Sequence, residues 1–457
     1  MRTRLATGVP LSGNAAVGNL PPAVVACLKT AIDLSGATGT PVSAWGDLGH
    51  MSAGGAGPRV DRLGSMDVDP IASSPEHRLL AELRERFPRV AVAHDWLTIP
   101  GGSEQVVLEL LDMFPQAELF TSVYDPEPWP AQITERPVHS SFLNGVPGAA
   151  RHYPKLLPLM SRAFRSFDLS RFDLVLSSSH AFAKNVRVPS GVLHVCYCHT
   201  PMRYAWEDTF LDGEDIGRAR VLLPVLLAWL RRQDLAASRG PDVFVANSRH
   251  VANRIERFYG RSAEVVHPPV DVEHFLTLPH SPSLGEDYYL TFGRVVPYKR
   301  VDLAVDACQM LGRRLKVAGD GRAMEAVRAT LTTGVELLGK VPAATRDQLL
   351  SGARALLFPG EEDFGIVPVE AQAAGVPVIA YGVGGAAESV LDGETGVLFS
   401  EQSAQGLAGA IERFERLELD DARLRENATR FTRERFKESM AEVIDRHAGL
   451  KARAGNR

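Results

Sequence analysis

The sequence predicts an α/β chain in which two doubly wound, parallel-sheet domains face each other across a cleft, behind an irregular N-terminal extension. Three observations carry this. From Arg89 onward, short β-branched or apolar runs alternate with helical stretches. The alternation breaks at a polar, proline-bearing link, Thr277 to Asp287, and then restarts. Finally, 457 residues exceed one ordinary core and suit two domains of roughly 150 to 200 residues.

Residues 1–86 are rich in Gly, Ala, Pro and Ser and show no sustained periodicity. They read as a disordered or loosely attached extension, or as a spurious upstream start, with one short helix around Pro22 to Leu34. The first domain is expected over 87–280. Its strands are Val90 to Ala93, Asp173 to Ser177, Val192 to Cys198, Asp242 to Ala246 and Glu264 to His267. The second is expected over 281–430, with strands Tyr288 to Phe292, Arg314 to Ala318, Val335 to Leu338, Ala355 to Phe358 and Val378 to Tyr381. Residues 431–457 are set apart because Thr432 to Ala448 mixes apolar and charged residues at helical spacing and can pack back on the first domain.

Composition narrows the function. Charged residues at 23% and hydrophobic residues at 45% are ordinary for a globular protein, and a net charge of -5 gives no reason to expect nucleic acid. Four cysteines make no disulfide framework. Cys196-Tyr-Cys198-His199 lacks zinc-knuckle spacing and a second ligand pair, so no metal is expected there. No run reaches the ~18 apolar residues of a membrane-spanning helix, and the basic start is followed by no signal-peptide pattern, so a cytoplasmic protein is expected.

Ligands of doubly wound domains bind at the carboxyl ends of the strands. After strand Ala355 to Phe358 comes a loop with Glu362, then Phe364-Gly365-Ile366, where loop turns into helix, then Glu370 about one turn in. The helix start offers free N–H groups to phosphate oxygens. The two carboxylates can grip vicinal hydroxyls from two levels, although a glutamate pair alone is more often solvated surface. The motif Glu362-x7-Glu370, continuing through Ala-Gln-Ala-Ala-Gly-Val-Pro-Val-Ile-Ala and Gly384-Gly-Ala-Ala-Glu388, resembles the donor site of glycosyltransferase family 4. These are retaining enzymes of the GT-B fold, two Rossmann-like domains around a cleft. The segments His94-Asp-Trp-Leu, Tyr197-Cys-His-Thr-Pro-Met-Arg-Tyr204 and Val296-Pro-Tyr-Lys-Arg-Val-Asp302 look most like a subgroup with mannosyltransferases of bacterial surface polysaccharide assembly. The resemblance runs from about residue 89 to the end.

It implies roles for further loops. Gly293 lets the backbone approach a ligand, and Arg294 and Lys299 would contact the donor diphosphate; Arg300 matches them in charge but should point elsewhere. Lys340 and Val341 would line the nucleotide base, while Ala318-Gly-Asp-Gly321 reads as a structural turn. Gly101 and Gly102 resemble the glycine loop that faces the donor phosphates. His199 resembles the cleft histidine that bonds the transferred sugar, and so stands with Glu362 as catalytic. His94, Asp95, His180 and Lys184 are acceptor-side candidates, with helix capping the other reading for the last two. No metal or other cofactor is implied, since the nucleotide sugar is itself a substrate.

The expected reaction moves a hexosyl group, mannose from GDP-mannose as the best reading, to a glycan or polyprenol-linked acceptor. The acceptor hydroxyl would attack from the front face, its proton passing to the leaving phosphate. Arg151 to Ser170 places Arg151, Lys155, Arg162 and Arg165 among leucines and Phe164, which suits either peripheral membrane contact or packing on its own domain. Three rivals stand beside this reading. A dinucleotide oxidoreductase would need Gly-x-Gly-x-x-Gly after the first strand, which Gly101-Gly102-Ser-Glu104 does not supply. The others are a non-catalytic nucleotide-sugar-binding protein and a phosphorylase or epimerase on the same fold.

Overall fold

The computed structural model describes residues 75–207, 223–279, 287–331 and 333–455. Two wholly parallel sheets dominate. The first has the order β3-β2-β1-β4-β5-β6-β7, with β1 (Val90–His94), β2 (Glu118–Thr121), β3 (Val138–Ser140), β4 (Leu174–Ser179), β5 (Leu193–Cys198), β6 (Val243–Ala246) and β7 (Glu264–Val265). The second has the order β10-β9-β8-β11-β12-β13, with β8 (Tyr289–Phe292), β9 (Leu315–Ala318), β10 (Val335–Gly339), β11 (Ala355–Phe358), β12 (Val378–Tyr381) and β13 (Gly396–Phe399). Helices cover both faces, which is why β1, β4, β5 and β11 are buried at every residue. Strand order reverses at β1/β4 in one sheet and at β8/β11 in the other, and the crevice for a ligand opens at such a reversal.

Three strands were not anticipated. Glu-Leu-Phe-Thr in β2, Val-His-Ser in β3 and Gly-Val-Leu-Phe in β13 are too short to show a period, and β3 and β13 each take one edge of a sheet. The stretch Arg151 to Ser170 is not one helix. Pro154 and Pro158 divide it into Ala149–His152, a 3-10 turn Tyr153–Leu156 and helix Leu157–Arg165.

Two expected boundaries move. The irregular extension ends before residue 86, because Pro75–Arg86 is a helix that buries Leu83 in the first domain's core; the Pro22 to Leu34 helix lies outside the described residues. The first domain ends before residue 280, since Val270, Val272 and Phe275 sit in the second domain's core with Leu356 and Ala371. The chain therefore crosses over around His267 to Pro269 and returns just after Phe431. The two crossings lie side by side, joined by the Val270 N–H to the Phe431 carbonyl at 2.9 Å. Helix Arg433–Gly455 then packs on the first domain, inserting Phe436, Met440, Val443 and Ile444 beside Leu83, Val107 and Tyr197.

Candidate functional site

In the second domain the site is assembled at the β8/β11 reversal. Gly293 follows β8 with φ of +121°, and a Cβ there would stand 3.2 Å from Lys299 Nζ. Gly360 follows β11, and a Cβ there would stand 2.7 Å from Lys299 Cα. The two loops thus close on the 3-10 turn Pro297–Lys299 and press Lys299 against Glu362. Lys299 Nζ lies 2.8 Å from Glu362 Oε1, an ion pair without hydrogen-bond alignment, so this buried oxygen keeps unused accepting capacity. A cavity opens here, lined by Thr291, Gly293, Arg294, Lys299, Pro359 and Glu362.

Gly365, with φ of +85°, starts helix Ile366–Ala373, whose first N–H groups have no acceptor within the helix. One turn on, the Glu370 carboxylate has no hydrogen-bond partner among the described residues. It retains some solvent contact, yet the surrounding protein desolvates it, and that burial pushes its carboxyl up to about 7, with Arg346 opposing and Asp347 and Asp271 adding to the rise. A carboxylate so placed lacks the hydrogen bonds that a pair of hydroxyls could donate.

The facing site in the first domain lies at the β1/β4 reversal. His94 ends β1 opposite Ser178 of β4, and His199 follows β5. His94 is fully buried, with Nδ1 at 3.1 Å from both the Ser178 carbonyl and its hydroxyl, and Nε2 at 3.1 Å from Glu104 Oε1. Burial opposes its imidazolium, but Glu104, Asp95 and the Ser178 carbonyl together outweigh it and the net direction is up. His199 Nε2 lies 2.8 Å from Ser178 Oγ, and burial holds this ring neutral, down to about 3. His180 is partly exposed between them, with Trp96 edge-on at 4.6 Å.

The two half-sites are joined directly. A Cβ on Gly102 would stand 2.9 Å from Ile366 Cδ1, so the glycine loop and the helix start touch across the cleft. Asp363 of the loop after β11 binds Arg203 at 2.9 Å and Arg254 at 2.8 Å, both from the first domain, while Ser248 Oγ donates to the Asp363 carbonyl. Glu388 accepts from the N–H groups of Arg249 at 2.9 Å and His250 at 3.0 Å, capping a first-domain helix (Arg249–Tyr259), and pairs with His267 at 3.2 Å.

Residues 100–274 match the family profile described as Glycosyltransferase Family 4, and residues 279–431 match that of Glycosyl transferases group 1, together more than two thirds of the chain. The chain belongs to this family of glycosyltransferases. Among curated relatives, D-inositol 3-phosphate glycosyltransferase of Geodermatophilus obscurus is 32% identical over 47% of this chain and 55% of its own length. The GDP-mannose-dependent alpha-(1-6)-phosphatidylinositol monomannoside mannosyltransferase of Mycolicibacterium smegmatis is 28% identical over 44% of this chain and 58% of its own. The chain thus spans about half the length of the curated relatives it matches. The solved structure of the lipopolysaccharide outer core galactosyltransferase WaaB, at 20% identity, covers 78% of this chain and 99% of its own with a TM-score of 0.57, a likeness of GT-B fold.

Within this glycosyltransferase, Gly293, Arg294, Lys299, Glu362, Gly365, Ile366 and Glu370 gather at one sheet reversal, with Gly101, Gly102 and His199 facing them. Arg294 is exposed, within reach of the Tyr298 hydroxyl at 3.3 Å. Arg300 turns away to Asp302. Lys340 and Val341 stand at the end of edge strand β10, away from the reversal. Gly319 and Gly321 are packed against the backbone of Gly293 and Val295, which is the close fit of a structural turn.

Three expected contacts are corrected. His94 is buried and bonded at both ring nitrogens, so it cannot touch an acceptor. Asp95 is also buried: its carboxylate accepts N–H groups from His180 through Ala183, and although burial opposes its charge, His180 and His94 draw its carboxyl below the usual range. Lys184 is a buried partner of Asp234 at 2.7 Å, in a network with Trp206 and Tyr259. Phe364 is expected to act through its backbone, and that expectation is unaffected: its ring points into the hinge, 5.3 Å from His267 and 5.5 Å from Phe431. The residues missed are Glu104, Ser178, Arg203, Arg254 and Asp363; the partners in the Asp363 pairs are more than a hundred residues apart, and no local spacing announces them.

Proposed function

We propose that the protein transfers a hexosyl group, with retention of anomeric configuration, from a nucleotide sugar to a glycan or polyprenol-linked acceptor in cell-surface polysaccharide or glycolipid synthesis. The observation that carries this is the Lys299–Glu362 pair set between Gly293 and the helix start at Gly365, with the unpartnered Glu370 one turn beyond. In this reading Arg294, Lys299 and the N–H groups near Phe364 to Ile366 take the diphosphate, Glu370 the ribose, and Glu362 and His199 the sugar hydroxyls. Lys340 and Val341 reach the base through backbone atoms. The cations stabilise charge that grows on the leaving group, so they favour the transition state over the ground state. We assign no metal requirement, because these cations and the helix dipole can do that work. Attack comes from the front face, and the leaving phosphate takes the acceptor's proton.

Mannose from GDP-mannose is the donor to test first, a choice supported by the GDP-mannose dependence named for the mycobacterial mannosyltransferase relative. No helix among the described residues is long and apolar enough to cross a membrane. We place the protein in the cytoplasm, with the basic and exposed Arg151, Lys155, Arg162 and Arg165 meeting the anionic inner face where a lipid-linked acceptor would sit. A panel of nucleotide sugars, scored by thermal stabilisation and by nucleoside diphosphate release with and without EDTA, tests these assignments. Stabilisation by GDP-mannose and turnover insensitive to EDTA are expected. Binding without turnover would point to a non-catalytic protein, and phosphate-dependent turnover without a nucleotide donor to a phosphorylase.

A further inference from the structure

The first-domain half of the cleft contains a continuous hydrogen-bonded chain that ends on His199. It runs from Glu104 Oε1 to His94 Nε2 at 3.1 Å, from His94 Nδ1 to the Ser178 carbonyl and hydroxyl at 3.1 Å each, and from Ser178 Oγ to His199 Nε2 at 2.8 Å. Its members are fixed by the sheet. His94 and Ser178 are partners in the β1/β4 register, and His199 N–H continues the ladder to the Ser179 carbonyl at 2.9 Å.

Donor and acceptor roles along the chain follow by elimination. The Ser178 carbonyl can only accept, so His94 Nδ1 must carry hydrogen; a lone pair facing that carbonyl would be repelled. The same N–H reaches Ser178 Oγ, so the serine hydroxyl accepts on that side, and among the described residues His199 Nε2 is the acceptor within reach of its one hydrogen. His94 Nε2 faces a buried carboxylate that, when ionised, accepts as well, so His94 is held as a cation whose counter-ion is Glu104, in keeping with the raised direction of its ring. His199 Nε2 therefore accepts, and its hydrogen sits on Nδ1. That nitrogen has no partner among the described residues and is not sealed from solvent.

We infer that Glu104, His94 and Ser178 are positioning residues that fix His199 as its Nδ1–H tautomer, so that the cleft presents a neutral N–H donor to an oxygen lone pair of the bound sugar. This rests on the reading of His199 as a sugar contact, but the tautomer is a property of the free protein. A donor fixed this way selects the orientation of a hydroxyl: the oxygen faces His199, and its own hydrogen is left for a carboxylate such as Glu362.

The test is proton-nitrogen NMR of the full-length protein labelled with 15N-histidine, without ligand, the His199 signals identified by their loss in His199→Gln. The expected result is an Nδ1–H pattern in the wild type that turns mixed or Nε2–H in Ser178→Ala, since a free imidazole favours the Nε2–H form. An Nε2–H pattern in the wild type, or an unchanged Nδ1–H pattern in Ser178→Ala, overturns the inference. A second arm measures Ser178→Ala kinetics below the variant's own melting transition with a donor that the panel identifies, where kcat/KM should fall roughly 10-fold, the size of one lost hydrogen bond. Unchanged kcat/KM with a changed tautomer would overturn the claim that the sugar reads it. If no nucleotide sugar binds at all, the proposed function fails while the tautomer result stands.

Discussion

Glu370 gives the sharpest test because it makes stability and ligand binding oppose each other. Its carboxyl is pushed from 4.5 to about 7 by burial. Between those values the folded chain holds a proton that the unfolded chain has released, so stability falls as pH rises from about 4.5 to about 7 and stays lowered above that. A shift of this size corresponds to about 3 kcal/mol, which the residue's partial solvent contact reduces to about 1–3 kcal/mol. Glu370→Gln keeps the shape and removes the charge. At pH 8 it should melt several degrees above the wild type, at about 2–4 °C per kcal/mol for domains of this size. At pH 5, with the wild-type carboxyl protonated, the difference should close. Nucleotide binding should move the other way. Losing charge-assisted hydrogen bonds from two ribose hydroxyls costs about 1.5–3 kcal/mol, or about 10- to 100-fold in affinity at pH 8. Thermal melts from pH 5 to 8.5 and nucleotide titrations at the same pH values supply both readings. Equal melting temperatures throughout, or undiminished affinity in the variant, would refute the argument.

Other consequences follow from single contacts. Gly385→Ala would set a Cβ 2.2 Å from Phe364 Cα, and neither backbone can yield cheaply, so a loss of about 2 kcal/mol or more and a weakened donor site are expected in denaturant and binding titrations. Gly409→Ala is the control: nothing lies within 4 Å of its Cβ on the exposed face of helix Ala404–Phe414, and it should gain about 1 kcal/mol. Asp363→Ala strips the carboxylate from half-buried Arg203 and from buried Arg254, so a cost near 3 kcal/mol and a larger radius of gyration in small-angle scattering are expected. Lys299→Met should raise donor KM and lower kcat together, with little change in melting temperature.

The fold was legible because its strands are buried on both faces and therefore read as unbroken apolar runs. Tyr289–Phe292, Ala355–Phe358 and Val378–Tyr381 all lie where such runs occur. Strands of three or four residues such as Val138–Ser140 offer no comparable signal. The candidate site was legible in place for a different reason: Gly293, Gly365 and the two glutamates sit at the strand-to-helix junctions that a parallel sheet turns into binding sites. What stayed hidden was pairing across the chain. Nothing near Asp95 says that its carboxylate will accept a row of N–H groups from residues 180–183, and nothing near Lys184 says that Asp234 will neutralise it. Both looked like ligand-binding groups because a sequence shows charge without showing what already satisfies it.

One arrangement ties the two halves of the molecule to its chemistry. Glu362 and Asp363 are consecutive, yet Glu362 faces Lys299 within the second domain and Asp363 faces Arg203 and Arg254 in the first. The same loop rests on Gly384 and Gly385, where no side chain could fit, and Glu388 just beyond caps a first-domain helix. The segment that would hold the sugar is thus also the segment that holds the domains together. A motion that opens the cleft must draw Asp363 from its arginines, and with so little slack it must also disturb Glu362 one residue away. Grip on the donor and closure of the cleft are then one mechanical event, which is what a transferase needs to keep water from the activated sugar until the acceptor is in place.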